Sequence, residues 1–234
     1  MGRRKRWWED NGIYHITYRC HEREFLFKFG KYRDLYVKYL REASQRYGID
    51  ILNYMVTSNH IHLLISAKNA AGISEGLQYL HSRVAQKYNF LKQREGAFWK
   101  DRFHATRIQD GEYFGRCMFY IDMNMVRAGA VRHPAEWEHC AYHEFVGARQ
   151  RYRVVNMKRV LRVLGMKDEE SFREWYIKTL ESKLAGILSG REIYWSKSVA
   201  VGTEAWLKGV ARENQLKRYK IEAENGVNFI RGRK

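Results

Sequence analysis

Proline is almost missing from this chain: Pro134 is the only one in 234 residues. No proline-rich linker can therefore be drawn, and the boundary between any two parts is soft. Cysteine is sparse as well. Cys20, Cys117 and Cys140 lie far apart and form neither a CxxC pair nor a zinc-ligand spacing. That excludes a disulfide scaffold and a zinc ribbon, and a reducing cytoplasm is the expected home. No apolar run approaches the roughly eighteen residues of a membrane span. The opening MGRRKRWWEDNG is basic but has no apolar stretch behind it, so it does not read as a secretory signal. Acidic residues are in deficit, 26 against 43 Lys and Arg, for a net charge of +17. Such a charge is an argument about partners rather than fold, and a polyanion is the obvious partner.

What remains is ample for a core: 45% of residues are hydrophobic and 15% aromatic. The aromatics are mixed with the cations. Rings stack on unpaired bases while cations hold phosphates, so nucleic acid is the expected polyanion. The ends 3-RRKR-6 and 231-RGRK-234 could grip phosphates without regard to sequence.

The pattern along the chain predicts β-α-β-β-α-β-α. Residues 12–20 alternate as a strand, and 31–47 place Leu35, Tyr36, Tyr39 and Leu40 at helical spacing before Gly48. Residues 50–56 and 60–67 are two strands joined by the turn 57-TSN-59. Residues 73–91 form a helix with Leu77, Leu80 and Val84 on one face. Residues 97–109 read as a further strand and 111–127 as a third helix that stops at Gly129. The first six elements make a ferredoxin-like α+β arrangement, an antiparallel sheet with helices on one face. From about residue 150 the pattern is mostly helical, over about 156–164, 169–188 and 203–220.

The stretch 54-YMVTSNHIHLLISA-67 puts two histidines in phase on a strand. Their side chains share one face, with Cβ atoms about 6–7 Å apart, while Ile61, Leu63 and Ile65 take the other. A lone strand histidine is usually a hydrogen-bonded core residue; two in phase can converge on one cation. A third ligand must then come from elsewhere. On the third helix, Tyr120 and Asn124 lie four residues apart on one face. A tyrosine offers a phenolic nucleophile and an asparagine offers a hard carbonyl oxygen suited to Mg²⁺ or Mn²⁺. Tyr113, on nearly the same face, is the decoy among sixteen tyrosines.

The combination of HIH on a strand, 98-FWKDRFHA-105 and 120-YIDMNMVRAG-129 resembles the REP-associated tyrosine transposases, in the IS200-like branch of the HUH single-tyrosine nucleases. The likeness spans roughly residues 12–146. It implies His60, His62 and Asn124 as metal ligands and Tyr120 as nucleophile. It also implies Mg²⁺ or Mn²⁺, a single-stranded and hairpin-forming DNA substrate, and a cut that leaves a 5′-phosphotyrosine and a free 3′-OH. The family pattern N-P-V-R after the tyrosine departs here, with Met125 at the proline position. Three segments follow: a basic arm (1–11), the HUH domain (12–148) and a mostly helical extension (149–234). Arg3, Arg4, Lys5 and Arg6 of the arm, with Arg102 and Arg127, are the expected DNA contacts; Trp99, Arg102 and His104 would share the strand before the tyrosine helix. A monomer is expected, with a dimer as the alternative. Two other readings stand beside this one. A domesticated hairpin-binding module would hold DNA or RNA without cutting it. A phosphoesterase using two histidines as acid and base would need a second histidine motif, and the sequence has one.

Overall fold

The computed structural model describes residues 7–186, 192–216 and 219–231. Arg3, Arg4, Lys5 and Arg6 lie outside the described residues. The amino-terminal elements run β1 (Ile13–Arg19), α1 (Gly30–Tyr47), β2 (Ile49–Val56), β3 (His60–Ala67), α2 (Ala71–Lys92) and β4 (His104–Ile108). Their strands stand in the order β2-β3-β1-β4, antiparallel at every junction, which is the ferredoxin-like order. α1 forms because Tyr32, Tyr36, Tyr39, Leu40 and Ala43 recur at helical spacing and are all buried. It ends at Gly48, whose φ of 63° lets the chain reverse directly into β2.

Strand alternation separates the two faces of the sheet. Thr17 and Arg19 pair with His62 and His60, whereas Tyr14, Ile16 and Tyr18 pair with Ile65, Leu63 and Ile61. The second face carries α1 and α2, as the contact of the Tyr18 ring with His81 of α2 shows. The first face carries α3 (Glu112–Asp122), tied to β2 by the Asn53 amide, which donates to the Met118 carbonyl and to Asp122 Oδ1.

Two expected elements change. The strand placed over 97–109 is confined to β4, and 100–103 is irregular. Arg102 is therefore off the strand, and it shares no strand face with His104. The helix placed over 111–127 breaks at Met123, whose ψ is 1°, before a short helix α4 (Asn124–Arg127) resumes. The interruption occurs although Met125 stands where a proline was expected, so it needs no proline ring. Arg127 Nη2 donates to the Tyr120 carbonyl at the break, 2.5 Å away.

After α5 (Tyr142–Phe145), the extension keeps two expected helices as α6 (Met157–Leu164) and α7 (Glu169–Ala185), whereas the one placed over about 203–220 is shorter, α9 (Glu204–Glu213), and ends at its C-cap Asn214. Each starts at a side-chain cap, on Asn156, Asp168 and Thr203. A short α8 (Tyr194–Lys197) precedes α9. The extension also contains three strands that the helical pattern did not predict. β5 (Ser198–Val201) lies parallel to β4, followed across the sheet by β7 (Val227–Arg231) and β6 (Ile221–Glu224). Among the described residues one seven-stranded sheet thus joins both halves. Buried Glu144 fastens them further: its carboxylate accepts from the Val154 and Val155 amides and from the Tyr54 hydroxyl. Among the described residues no helix is long and apolar enough to cross a membrane.

At the join, Asp122 is wholly buried and accepts from Asn53 and from the Tyr176 hydroxyl of α7, 2.9 Å away. Burial pushes its carboxyl up from 3.8 to about 7, and the two donors only partly oppose that. The folded state thus keeps a proton that the unfolded chain releases above about 4, so this group's contribution to stability falls as pH rises from about 4 to about 7. Urea unfolding across that range should show a shallower loss of stability in Asp122→Asn than in the wild type. The difference expected is on the order of 4 kcal/mol at most; parallel pH profiles would contradict it.

Candidate active site

The two in-phase histidines sit where β3 begins, and local hydrogen bonds set their rings. The Asn59 amide nitrogen donates to the Arg23 carbonyl, which fixes the amide orientation and turns Oδ1 toward His60. His60 Nδ1 lies 2.7 Å from that oxygen and 2.9 Å from Thr57 Oγ1. The Thr57 hydroxyl is already donating to the His60 carbonyl. Both neighbours therefore face His60 as acceptors, so Nδ1 carries the proton and Nε2 keeps its lone pair.

A longer chain of bonds does the same for His62. The Trp195 main-chain carbonyl lies 2.7 Å from His15 Nδ1, and a carbonyl can only accept. His15 therefore bears its proton on Nδ1. Burial lowers the His15 pKa to about 4 and nearby His104 opposes protonation further, so the ring is neutral and its Nε2 must accept. The atom opposite is His62 Nδ1, 2.9 Å away, which must then be the donor. His62 is left with an Nε2 lone pair, the nitrogen that meets the Asn124 side-chain amide at 3.1 Å.

Tyr120 completes the group. Its ring centre is 6.1 Å from those of both His62 and His15, and 6.2 Å from that of Trp195. The Arg127 guanidinium lies 4.3 Å over the ring, and Tyr120 is only 3% exposed. His60 and His62 have ring centres 5.0 Å apart. The structure thus brings together Tyr120, His60, His62, Asn124 and Arg127. Arg127 contacts the tyrosine itself, both its carbonyl and its ring. Arg102 stands apart on the loop before β4, exposed, and His104 Nε2 faces the Ser198 carbonyl at 2.9 Å.

These residues fit a hard divalent cation. Two imidazole lone pairs are aimed by their own hydrogen bonds, and Asn124 can present Oδ1 once its amide turns. Among the described residues no group of three or more His, Cys, Asp or Glu is arranged to hold a metal ion by itself. A cation here would thus have two imidazoles and an amide oxygen from the protein, with other positions left to phosphate oxygen and water.

Sequence reasoning missed His15, the Trp195 carbonyl, and the orienting roles of Thr57 and Asn59. His15 did carry a signal, being a polar residue in phase with Thr17 and Arg19 on one face of the strand while Tyr14, Ile16 and Tyr18 take the other. Nothing local points from it to Trp195, 180 residues later.

Residues 9–124 match the profile of the family described as "Transposase IS200 like". No protein of curated function matches the chain. Among solved structures the chain is similar to a REP-associated tyrosine transposase bound to a REP hairpin. The identity is 17% and the TM-score 0.54, over 63% of this chain and 86% of that one. This is a likeness of fold. A crystallised transposase candidate from Deinococcus radiodurans R1 aligns at 14% identity and a TM-score of 0.37, over 55% and 98% of the two chains, too weakly to carry an argument.

Long-range ¹H–¹⁵N spectra of histidine-labelled protein should show His60 and His62 protonated on Nδ1 at neutral pH without metal. In His15→Ala, the His62 signals should move toward an exchanging mixture of tautomers. An Nε2-protonated His62 in the wild type would contradict the hydrogen-bond chain.

Proposed function

As a member, over residues 9–124, of the IS200-like transposase family, the chain is a DNA-processing enzyme, and we propose that it cleaves and rejoins single-stranded, hairpin-associated DNA through a 5′-phosphotyrosine on Tyr120. The observation that carries this reading is convergence: the His62 lone pair meets Asn124 at 3.1 Å while the Tyr120 ring stands 6.1 Å from His62. The hairpin form of the substrate is supported by the likeness to a fold solved with one, and by a charge of +17.

His60 Nε2, His62 Nε2 and Asn124 Oδ1 would hold Mg²⁺ or Mn²⁺, which when bound supplies polarisation of the scissile phosphate and of its leaving oxygen. Tyr120 Oη attacks phosphorus in line. The Oη–P bond forms, the P–O3′ bond breaks, the phenolic proton is lost and the 3′ oxygen ends as a hydroxyl. That 3′-OH, or one from another strand, attacks the phosphotyrosine to restore a phosphodiester and free the phenol. The number of phosphoester bonds is unchanged throughout, so no nucleotide cofactor is consumed. Arg127 acts beside the nucleophile. It holds the Tyr120 carbonyl at the helix break and places its charge over the ring, next to where a phosphate must arrive.

One observation favours a second reading, a hairpin-binding protein that does not cut: Tyr120 is 3% exposed. A denaturing gel separates the two. Fluorescent hairpin oligonucleotides labelled 3′ of the cut are incubated with Mn²⁺, Mg²⁺ or EDTA. The wild type should give a shifted, protease-sensitive band only with metal. Tyr120→Phe should give none, and His62→Ala should lose at least about a hundredfold of the rate. An adduct that persists in Tyr120→Phe would remove Tyr120 as nucleophile. Hairpin binding with no adduct under any metal would leave the binding reading.

A further inference from the structure

Behind the histidines, on the α1/α2 face of the sheet, lies a cavity of about 390 Å³. Its walls are aromatic and flat. Tyr18 and Trp99 are stacked, with ring centres 4.2 Å apart and planes 8° from parallel. His81 stands edge-on to both, and Phe103 lies 5.8 Å from His81. Trp99 is held there, since its indole N–H donates to the His81 carbonyl at 3.0 Å. The polar lining comes from α2, where Gln78 and Ser82 are one turn apart. Arg102, displaced from the expected strand, lines the cavity from the irregular 100–103 segment and is exposed.

Flat rings, an amide and a hydroxyl able both to donate and to accept, and a guanidinium beside solvent are the groups that bind a nucleotide. The volume falls within the roughly 300–1,000 Å³ of small-molecule sites. The position is equally informative. Tyr18 lies between Thr17 and Arg19, whose Cα partners are His62 and His60. The cavity and the histidines therefore occupy opposite faces at the same end of β1, and a strand of DNA need only round the 100–103 segment to touch both. The rim meets the amino-terminal arm: Trp8 donates to Ser74, which lines the cavity, and stacks on Phe103.

We propose that this cavity takes one unpaired nucleobase of the substrate strand, with the adjoining phosphate on Arg102, and so sets the distance between a chosen base and the cut. The rings hold any base, and Gln78 and Ser82 choose among bases. The proposal rests on the single-stranded DNA reading above and adds a specificity site to it.

Binding is measured by fluorescence anisotropy in EDTA, so that no cleavage contributes, with hairpin oligonucleotides carrying homopolymer flanks of each base. The tightest flank is then made abasic one position at a time. In the wild type one position should weaken binding about tenfold. Ser82→Trp, which fills the cavity, should show the same loss with the intact flank and almost no further loss at that position. Gln78→Ala should show a smaller loss, a weakened preference among the homopolymer flanks and a correspondingly smaller further loss at that position. The abasic scan on the wild type is independent of whether either variant folds. A scan with no sensitive position, or losses that simply add to those of both variants, would overturn the pocket. A wild type that forms the Tyr120 adduct yet shows no coupling overturns the pocket alone; a wild type that binds no single-stranded flank overturns both readings.

Discussion

The row from the Trp195 carbonyl through His15 to His62 is the interaction on which the site depends. Both rings are buried, so neither can settle its protons with water. Each bond in the row leaves one choice to the next, from an obligate acceptor at one end to the His62 Nε2 lone pair that meets Asn124 at the other. The geometry needs β1 and β3 adjacent in one register, since a slip of one residue would send His62 to the α1/α2 face. It also needs the carboxy-terminal extension in place, because the terminal acceptor belongs to α8. Candidate-site side chains from the first half of the molecule are thus oriented by main chain from the second.

That dependence gives the extension a structural meaning beyond an appended helical segment. Ser198 offers its carbonyl to both His104 and Thr106, at 2.9 Å each, where β5 joins β4. Glu144 closes the other flank by serving three donors with one carboxylate. Asp122 stitches β2, α3 and α7 together beneath the tyrosine helix. Polar groups this deeply buried are costly unless satisfied, and here they sit at the junctions where the two halves meet.

Much of this was readable beforehand, for physical reasons. β1 to β4 are long or strongly alternating, and α1 and α2 carry continuous apolar faces, so local pattern and tertiary fold agree. His60, His62, Tyr120 and Asn124 were legible because their spacings match the periods of a strand and a helix. What was not legible is tertiary. β5 and β6 span four residues each and β7 five, and they exist because β4 offers them an open edge. The 97–103 segment contains strand-like residues and keeps one antiparallel bridge, Trp99 to Cys20, but Trp99 packs on Tyr18 and the continuous ladder starts at His104. The helix over 111–127 was read as unbroken; its break at Met123 coincides with a guanidinium bonded to the Tyr120 carbonyl, which no local propensity reveals. His15 could be seen but not interpreted, since its meaning lies in a partner far along the chain.

The Arg127 guanidinium laid over a nearly buried phenol has a consequence of another kind. On the proposed chemistry it acts as a gate keyed to charge. A neutral molecule offers the guanidinium nothing better than the ring face it already covers, whereas a phosphodiester offers an anion and two acceptor oxygens. Uncovering the nucleophile is then repaid only by the group it is meant to attack, and between encounters with DNA the phenol stays shielded from other electrophiles.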